Sequence, residues 1–401
     1  MTPNKQAMRH IPRLRFFEFR DAPAWEGKKL GKVASLVADK ISSKQLPKGR
    51  YLSTDSILPN FSGVLFGHSS LPEGNVTYFL EGDILLSNIR IYLEKAWLAD
   101  GLGGCSNDCL VFRAGSCINP YFLYHIQTSK AFIDYAVKTS KGVKMPRGDK
   151  GSLLDYLLYL PSISEQKKIA DCLSSLDDLI VATSDKVEKL KEYKKGLMQK
   201  LFPKEGETTP RLRFPDFRDA PAWEGKKLGE IAHIVMGSSP ASTFYNDEKD
   251  GLPLLQGNAD IRNRVSCPRI FTSSITQECK DGDILLSVRA PVGMIARSHH
   301  HACIGRGLSV LRTYRINNQD FLYQYLIQLE SKWSRLSQGS TFEAVNSADI
   351  KSLCLFIPGF LEQKKIAACL SSLDNLIAAT AEKAEQLKKY KKALMQKLFP
   401  A

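Results

Sequence analysis

The sequence has no apolar stretch near the roughly 18 residues that a membrane-crossing helix requires, which argues against a helical membrane protein. Its first twenty residues carry basic side chains but no apolar core, so no secretory leader is expected there. Nine cysteines are an odd number scattered without a pairing pattern. That excludes a small disulfide-stapled class and fits reduced thiols in a cytoplasm. No Walker loop of the form Gly-x-x-x-x-Gly-Lys-(Ser/Thr) occurs, so no ATP-driven motor is expected in this chain. A Gly-rich cofactor loop and an (Asn/Asp)-Pro-Pro-aromatic motif, which an adenine methyltransferase needs, are both missing. Asn119-Pro120-Tyr121-Phe122 lacks the second proline and reads as a helix start with proline in the first turn. His299-His300-His301 with Cys303 match no common zinc spacing and read as a solvent loop. Cys105 and Cys109 lack a second pair and read as structural. Carboxylates are also scarce relative to cations. Asp and Glu number 42 against 56 Lys and Arg, a net charge of +14. That surplus points to a polyanionic partner without naming one.

What the 401 residues do contain is written twice. Pro12-Arg13-Leu14-Arg15-Phe16 recurs as Pro210-Arg211-Leu212-Arg213-Phe214, and Asp21 to Gly31 recurs unchanged as Asp219 to Gly229. Gly82-Asp83-Ile84-Leu85-Leu86-Ser87 recurs at Gly282 to Ser287, Glu165 to Ala170 at Glu362 to Ala367, and Leu197 to Pro203 at Leu394 to Pro400. The offsets are 198, 200 and 197, so one unit of about 200 residues is duplicated in tandem rather than repeated as a solenoid. The ends of the two copies match, while the middles, about 33–160 and 231–357, share little beyond Gly-Asp-Ile-Leu-Leu-Ser. Matched ends suit one partner met twice; mismatched middles suit two different targets.

The matched C-terminal segments carry a heptad pattern. Ile169, Leu173, Leu176, Ile180, Thr183, Val187, Leu190, Lys194, Leu197 and Leu201 alternate spacings of four and three. The second copy gives Ile366, Leu370, Leu373, Ile377, Thr380, Ala384, Leu387, Lys391, Leu394 and Leu398. Thr and Lys interrupt both seams at equivalent places, which weakens the pairing and restricts its register. Prolines 161 and 358 precede the helices, and prolines 203 and 400 close them. About 38 residues make a rod on the order of 57 Å. Two such helices are expected to satisfy each other as an antiparallel coiled coil, giving a pseudo-twofold dumbbell.

The middles read as strand-rich. Val76 to Leu80, Asp83 to Leu86, Cys109 to Phe112, Asp283 to Leu286 and Leu308 to Leu311 are short apolar runs bounded by turn residues. Helical patterns follow at Pro120 to Val137 and Gln319 to Ser337. The expected fold class is α+β: a globular domain over 1–160, a helical segment over 161–203, a second globular domain over 204–357 and a second helical segment over 358–401. Residues 1–164 hold 21 basic and 14 acidic side chains; residues 204–361 hold 19 and 17. Within the first block, Lys138, Lys141, Lys144, Arg147 and Lys150 recur every three residues in a glycine-containing loop, a pattern suited to phosphate contacts, with Arg50 a further basic candidate. The second block has Arg262, Arg264, Arg269, Arg289, Arg297 and Arg306 beside Gln256, Asn258, Gln338, Ser340, Thr341 and Asn346. Arg, Asn and Gln are the side chains that pair bidentately with base edges. No helix-turn-helix or zinc-finger spacing is present.

Along its whole length the chain resembles the specificity subunit of type I restriction–modification enzymes. The residues that carry the resemblance are the repeated Arg-Leu-Arg-Phe, Trp-Glu and Lys-Leu-Gly openings, Gly-Asp-Ile-Leu-Leu-Ser-Val-Arg-Ala-Pro-Val-Gly at 282–293, Gln338-Gly-Ser-Thr341 with Asp349-Ile350, and the Glu-Gln-Lys-Lys-Ile helices. The resemblance implies two target-recognition domains, each reading half of a split, asymmetric DNA site, with the paired helices as the ruler between them. It implies double-stranded DNA, two methyltransferase (modification) subunits and restriction/translocase subunits as partners, and no membrane. S-adenosylmethionine, ATP and Mg are then expected only on those partners, no metal or catalytic residue in this chain, and a cytoplasmic location. The seam residues Leu173, Leu176, Ile180, Leu190, Leu197, Leu370, Leu373, Ile377, Leu387 and Leu394 are the coiled-coil and partner candidates. The first half departs from the pattern: Lys141-Gly-Val-Lys-Met-Pro146 stands where the second has Gly-Ser-Thr, and Asn88-Ile-Arg90 replaces Arg-Ala-Pro-Val-Gly. A non-catalytic coiled-coil adaptor and a self-contained methyltransferase or nuclease are the alternatives.

Overall fold

The computed structural model of the chain describes residues 11–331, 333 and 344–400. It divides into two units, Met1–Ser184 with Glu382–Ala401, and Asp185–Ala381. Two 39-residue helices, Ile163–Leu201 and Phe360–Leu398, each begin in one unit and end in the other.

In the first unit the chain enters through Glu26–Lys29, which pairs antiparallel with Leu157–Leu160 directly before the first long helix. Between them lie two four-stranded sheets. One runs in the order Ala34–Leu36, Cys109–Ala114, Ile84–Ser87, Ala96–Leu98; the other runs Lys40–Ser42, Asn75–Phe79, Gly103–Cys105, Tyr51–Leu52. Strand alternation splits the apolar side chains between two cores. Ile84, Leu86, Leu110 and Phe112 face helices and join Trp25, Phe122, Ile169, Leu173 and Leu398. Leu85, Cys109 and Val111 face the second sheet and join Leu52, Phe79 and Cys105. A strand buried on both faces must be apolar at every position, which explains the unbroken Ile-Leu-Leu of the repeated motif.

The second unit is built alike. Glu224–Lys227 pairs antiparallel with Cys354–Ile357 directly before the second long helix. A six-stranded sheet contains Ala232–Met236, Leu308–Thr313, Ile284–Ser287, Ile295–Arg297, Val265–Ser266 and Ile261–Arg262 in that order. A five-stranded sheet contains Tyr245–Asn246, Ile270–Thr272, Leu252–Leu255, Ala302–Ile304 and Glu278–Cys279. Ile284, Leu286 and Leu311 belong to the core with Trp223, Phe321, Ile366 and Leu370, while Leu285, Leu308 and Val310 belong to the core with Leu255 and Ile304. The other half of the repeated motif is a staple. Gly82 and Gly282 take positive φ, and the buried Asp83 and Asp283 accept bidentate hydrogen bonds from Arg113 and Arg312.

The repeated openings and helix roots meet in space. Arg15 Nε and Nη2 donate to the two carboxylate oxygens of Glu165 at 2.7 Å each, with both side chains buried. Arg213 grips Glu362 in the same way at 2.9 and 2.6 Å. Trp25 Nε1 adds a donor to Glu165, whereas Trp223 Nε1 has no partner among the described residues. The next residue, Gln166, accepts from Asn119 N and donates to the Cys117 and Pro161 carbonyls; Gln363 accepts from Asn318 N and donates to Pro358. Asn119 caps the helix Pro120–Gln127, with Pro120 in its first turn.

The seam is buried or half-buried at Leu173, Leu176, Ile180, Leu190, Leu197, Leu370, Leu373, Ile377, Leu387 and Leu394. The pairing is antiparallel within each unit. In the first, the early Leu173 shares a core with the late Leu398; in the second, the late Leu201 shares one with the early Leu370. The interruptions are satisfied. Thr183 and Thr380 are buried and return their hydroxyls to the Leu179 and Leu376 carbonyls at 2.7 Å. Lys391 reaches Asp177 at 2.5 and 2.6 Å in the first unit, and Lys194 reaches Asp374 at 2.6 and 2.7 Å in the second.

Three expectations are corrected. The helical pattern from Gln319 to Ser337 closes as the helix Gln319–Gln328, with Leu329 at its C-cap, and Ser337 lies outside the described residues. The helical pattern from Pro120 to Val137 is two helices, Pro120–Gln127 and Lys130–Lys138, because Thr128 bonds back to the Tyr124 carbonyl and Ser129 caps the second helix. The basic loop is shorter than its lysine spacing suggests: Lys138 ends one helix, and Lys150 begins another, Lys150–Leu154, capped by Asp149.

Replacing Arg15 by Ala leaves the Glu165 carboxylate buried without its fork, which should cost the first unit about 3–5 kcal/mol. Urea unfolding should register this, and Arg213→Ala should do the same to the second unit. A second expectation concerns His125, which stands where the second unit has Gln324. Burial, reinforced by Lys391, pushes His125 down to about 3. Gln324 instead donates to Asp374. A histidine held neutral in the fold but free to protonate when unfolded withdraws stability as pH falls below its ordinary value near 6.5. Asp177, which faces the same lysine and is raised by burial, acts oppositely, but only nearer the carboxylate range. Between pH 6.5 and 5 the first unit should therefore lose up to roughly 1 kcal/mol per pH unit. Hydrogen exchange of residues 120–127 and 163–184 should report the loss, and His125→Gln should flatten it.

Candidate nucleic-acid interface

Ion-pair accounting sorts the basic side chains into those already engaged and those still open. In the first unit Arg50 donates to the Leu102 carbonyl and to Asp100, both at 2.9 Å, and its guanidinium lies 4.4 Å from the Phe66 ring centre. Lys141 pairs with Asp149 at 2.7 Å and, with Ser152, holds that carboxyl down to about 2. Arg147 pairs with Asp108 at 2.9 Å. The loop is closed on itself by Lys141 N to Arg147 O and Arg147 N to Lys141 O, at 2.8 and 2.9 Å. Lys138, Lys144 and Lys150 are exposed around it, as are the apolar Val143 and Met145. A bridge joins Arg147 to Ile89, just as Ala344 is bridged to Arg289 in the second unit, so Arg147 and Ala344 hold matching places.

In the second unit six arginines are committed to carboxylates: Arg211 to Glu207, Arg213 to Glu362, Arg264 to Glu330, Arg269 to Asp260, Arg297 to Asp320 and Arg312 to Asp283. Arg264 also donates to the Ile295 carbonyl at 3.0 Å and borders a hollow of about 370 Å³ with Asn263, Met294 and Glu330. Arg262 is exposed in the hairpin Ile261–Arg262 with Val265–Ser266. Asn346 spends its side-chain oxygen on the N-terminus of the helix Ser347–Ser352, accepting from Ala348 N and Asp349 N. Gln338, Ser340 and Thr341 lie outside the described residues.

Four of the candidates converge. Gln256, Asn258, Arg289 and Arg306 line one cleft of about 300 Å³ together with Ser239 and Ser287. Ser287 donates to the Arg289 and Pro291 carbonyls, and Asn258 Nδ2 donates to Pro291 O at 2.8 Å. Asn258 Oδ1 is enclosed with no partner among the described residues. Neither Arg289 nor Arg306 has a carboxylate partner among the described residues. The arrangement offers two guanidinium forks, an amide and hydroxyls in a polar concavity, which is hydrogen-bonding equipment for a planar acceptor edge rather than for bond cleavage. Among the described residues no cluster of three or more His, Cys, Asp or Glu could hold a metal ion. His299, His300 and His301 are instead hydrogen-bonded to Asp281, Ser266 and Glu278. The cysteines are free.

The sequence missed Ser239 and Ser287 as lining residues, because the four chain segments of the cleft meet only after folding. It also missed Asp177 and Asp374 as partners of the seam lysines, although their acidity at matched places in the repeat was visible.

Comparison with known proteins agrees with this picture. The type I restriction modification DNA specificity domain matches twice, at residues 24–192 and 221–389. The MjaX type I restriction enzyme specificity subunit of Methanocaldococcus jannaschii is 34% identical over 332 residues, 79% of this chain and 77% of that one. A chain of a type I R-M system, solved in a study of its complex assembly and conformational transition, is 26% identical with a TM-score of 0.61, covering 94% of this chain and 97% of that one. The S subunit of the type I restriction-modification system of M. genitalium shares the fold, with a TM-score of 0.62 at 16% identity over 97% and 99% of the two chains. The sequence match in both halves, over a duplicated frame with two unlike heads, makes this chain a member of the type I restriction–modification DNA specificity subunits.

Proposed function

We propose that the chain is a non-catalytic reader of a split, asymmetric duplex site with a fixed spacer, and that it recruits its catalytic partners rather than acting on DNA itself. The recognition domains are 1–160 and 204–357, and the helical spacers are 161–203 and 358–401. The observation that carries this reading is the division of labour in the duplication. Residues repeated between the halves build the Arg–Glu clamps, the Asp–Arg staples and the helix seam, while the polar side chains outside that frame differ. A frame used twice with two different polar surfaces suits two unlike half-sites.

Recruitment of two copies of one partner suits the same duplication. Leu179 and Tyr390 are exposed in the first unit, and their repeat equivalents Leu376 and Tyr193 are exposed in the second. All four fall at the g position of the heptad, which in an antiparallel pair flanks one side of the seam. Two modification subunits that supply S-adenosylmethionine chemistry are the partners this duplicated pair fits, with ATP and Mg belonging to restriction/translocase subunits, in the cytoplasm.

The purified chain should shift random-sequence duplex DNA at low salt, with affinity falling linearly in log salt. It should bind no S-adenosylmethionine in calorimetry. Absence of any shift at low salt favours an adaptor that never touches nucleic acid, and cofactor binding by the chain alone contradicts the non-catalytic reading. Removing residues 180–186 together with 377–383 deletes one heptad from each helix and keeps both Lys–Asp layers. Mapping methylated adenines should then show half-site sequences unchanged and a spacer shortened by about 10 Å, or about three base pairs.

A further inference from the structure

In each unit the chain crosses between the two sheets several times, and one of these crossings is a tight turn beside the cleft position. In the second unit that turn is Gly305-Arg306-Gly307, between Ala302–Ile304 and Leu308–Thr313. We propose that this turn is the base-reading element of the second recognition domain, with the Arg306 fork taking a guanine edge in the major groove and Gln256 and Arg289 flanking it. The proposal rests on the DNA-specificity reading above and assigns it to particular side chains.

The turn is a rigid pedestal. A Cβ on Gly307 would stand 2.3 Å from the Gln256 carbonyl oxygen, and one on neighbouring Gly237 would stand 2.1 Å from the Gly305 carbonyl oxygen, so neither position tolerates a side chain. The backbone is pinned by Gly305 N to Leu255 O at 2.8 Å, Gly307 N to Gln256 O at 3.1 Å, Arg306 N to Ser239 Oγ at 3.1 Å and Val288 N to Gly307 O at 3.0 Å. A recognition side chain on a fixed backbone loses less freedom on binding than one on a loop. Arg306 is exposed, and its guanidinium has no ion-pair or hydrogen-bond partner among the described residues, whereas six other arginines of the unit are tied to carboxylates. An open Arg fork matches O6 and N7 of guanine, and Gln pairs with adenine N6 and N7.

The equivalent turn in the first unit follows from the strand registers. Ser87 pairs with Cys109 as Ser287 pairs with Leu308, and Asn88 N donates to Asp108 O as Val288 N donates to Gly307 O. Gly305-Arg306-Gly307 therefore corresponds to Ser106-Asn107-Asp108. Leu52 and Leu255 hold matching places beside Cys105 and Ile304, which sets Gln256 against Ser53. The bridges set Arg289 against Ile89. The skeleton is shared, and its three cleft side chains change from Gln, Arg and Arg to Ser, Ile and Asn. That is the substitution pattern expected where two heads read different bases.

The test expresses the full chain with its modification subunits in cells carrying a plasmid library of random sequence, and reads methylated adenines by single-molecule sequencing. Wild type should give a bipartite motif with a guanine in one half-site. Arg306→Ala should relax that one position by on the order of tenfold to a hundredfold, leaving the other half-site and the spacer unchanged. Arg306→Lys keeps the charge and loses the fork, and should relax the same position. A uniform drop in methylation with an unchanged motif in both variants makes Arg306 a phosphate contact and overturns the proposal. So does a change in both half-sites. Should the alanine variant fail to accumulate, an unchanged motif, or loss of all methylation, in the lysine variant overturns it instead. A wild-type chain that directs no bipartite motif sinks the DNA-specificity reading and this assignment with it, whereas a normal wild-type motif untouched by either variant sinks this assignment alone.

Discussion

Everything in each unit hangs from a buried guanidinium–carboxylate pair. Removing one partner of such a pair strands a charge in an apolar interior, at a cost far above that of any surface contact. Arg15 with Glu165, and Arg213 with Glu362, therefore fix the segment ahead of the entering strand against the first turn of the long helix. The adjacent glutamines extend the grip to the cap of a third segment, at Asn119 and Asn318. Three separate stretches of chain are thus locked at one point. The position of the recognition sheets relative to the root of their own helix follows from that lock, which explains why the ends of the two copies stayed alike while the middles diverged.

The helix seam is a gentler constraint. Its apolar positions supply burial, but identical leucines along a seam leave neighbouring registers close in energy. The Lys391–Asp177 and Lys194–Asp374 layers separate them, because a slip of one heptad would bury each ammonium without its carboxylate. Burial raises the Asp177 carboxyl despite the lysine beside it.

The seam, its interruptions and the duplication were legible in the sequence because they are periodic, and periodicity survives without coordinates. The five apolar runs read as strands were legible to within a residue or two, as Val76 to Leu80 against Asn75–Phe79 and Leu308 to Leu311 against Leu308–Thr313, while strands such as Glu26–Lys29 carried no apolar run to mark them. The single helix drawn from Pro120 to Val137 failed at Ser129, whose capping role depends on a local hydrogen bond rather than on hydrophobic pattern. The interface was legible only by residue type. Arg264, Arg297 and Arg306 look alike in a sequence; Glu330 and Asp320 claim the first two after folding, and nothing local foretells which arginine is left open.

That distinction separates charge from reading capacity. The first recognition block is the more basic, yet Lys141, Arg147 and Arg50 each hold a carboxylate. Such pairs can be exchanged for phosphates at modest cost, because both partners are near solvent and a surface ion pair is worth little. The second block is close to neutral, yet its cleft keeps two guanidinium groups without a carboxylate among the described residues. A base edge competes poorly for a side chain already bound inside the protein, and well for one that is fixed and open. The net charge of +14 counts engaged and open cations alike, whereas the fold decides which arginines are left without a carboxylate among the described residues.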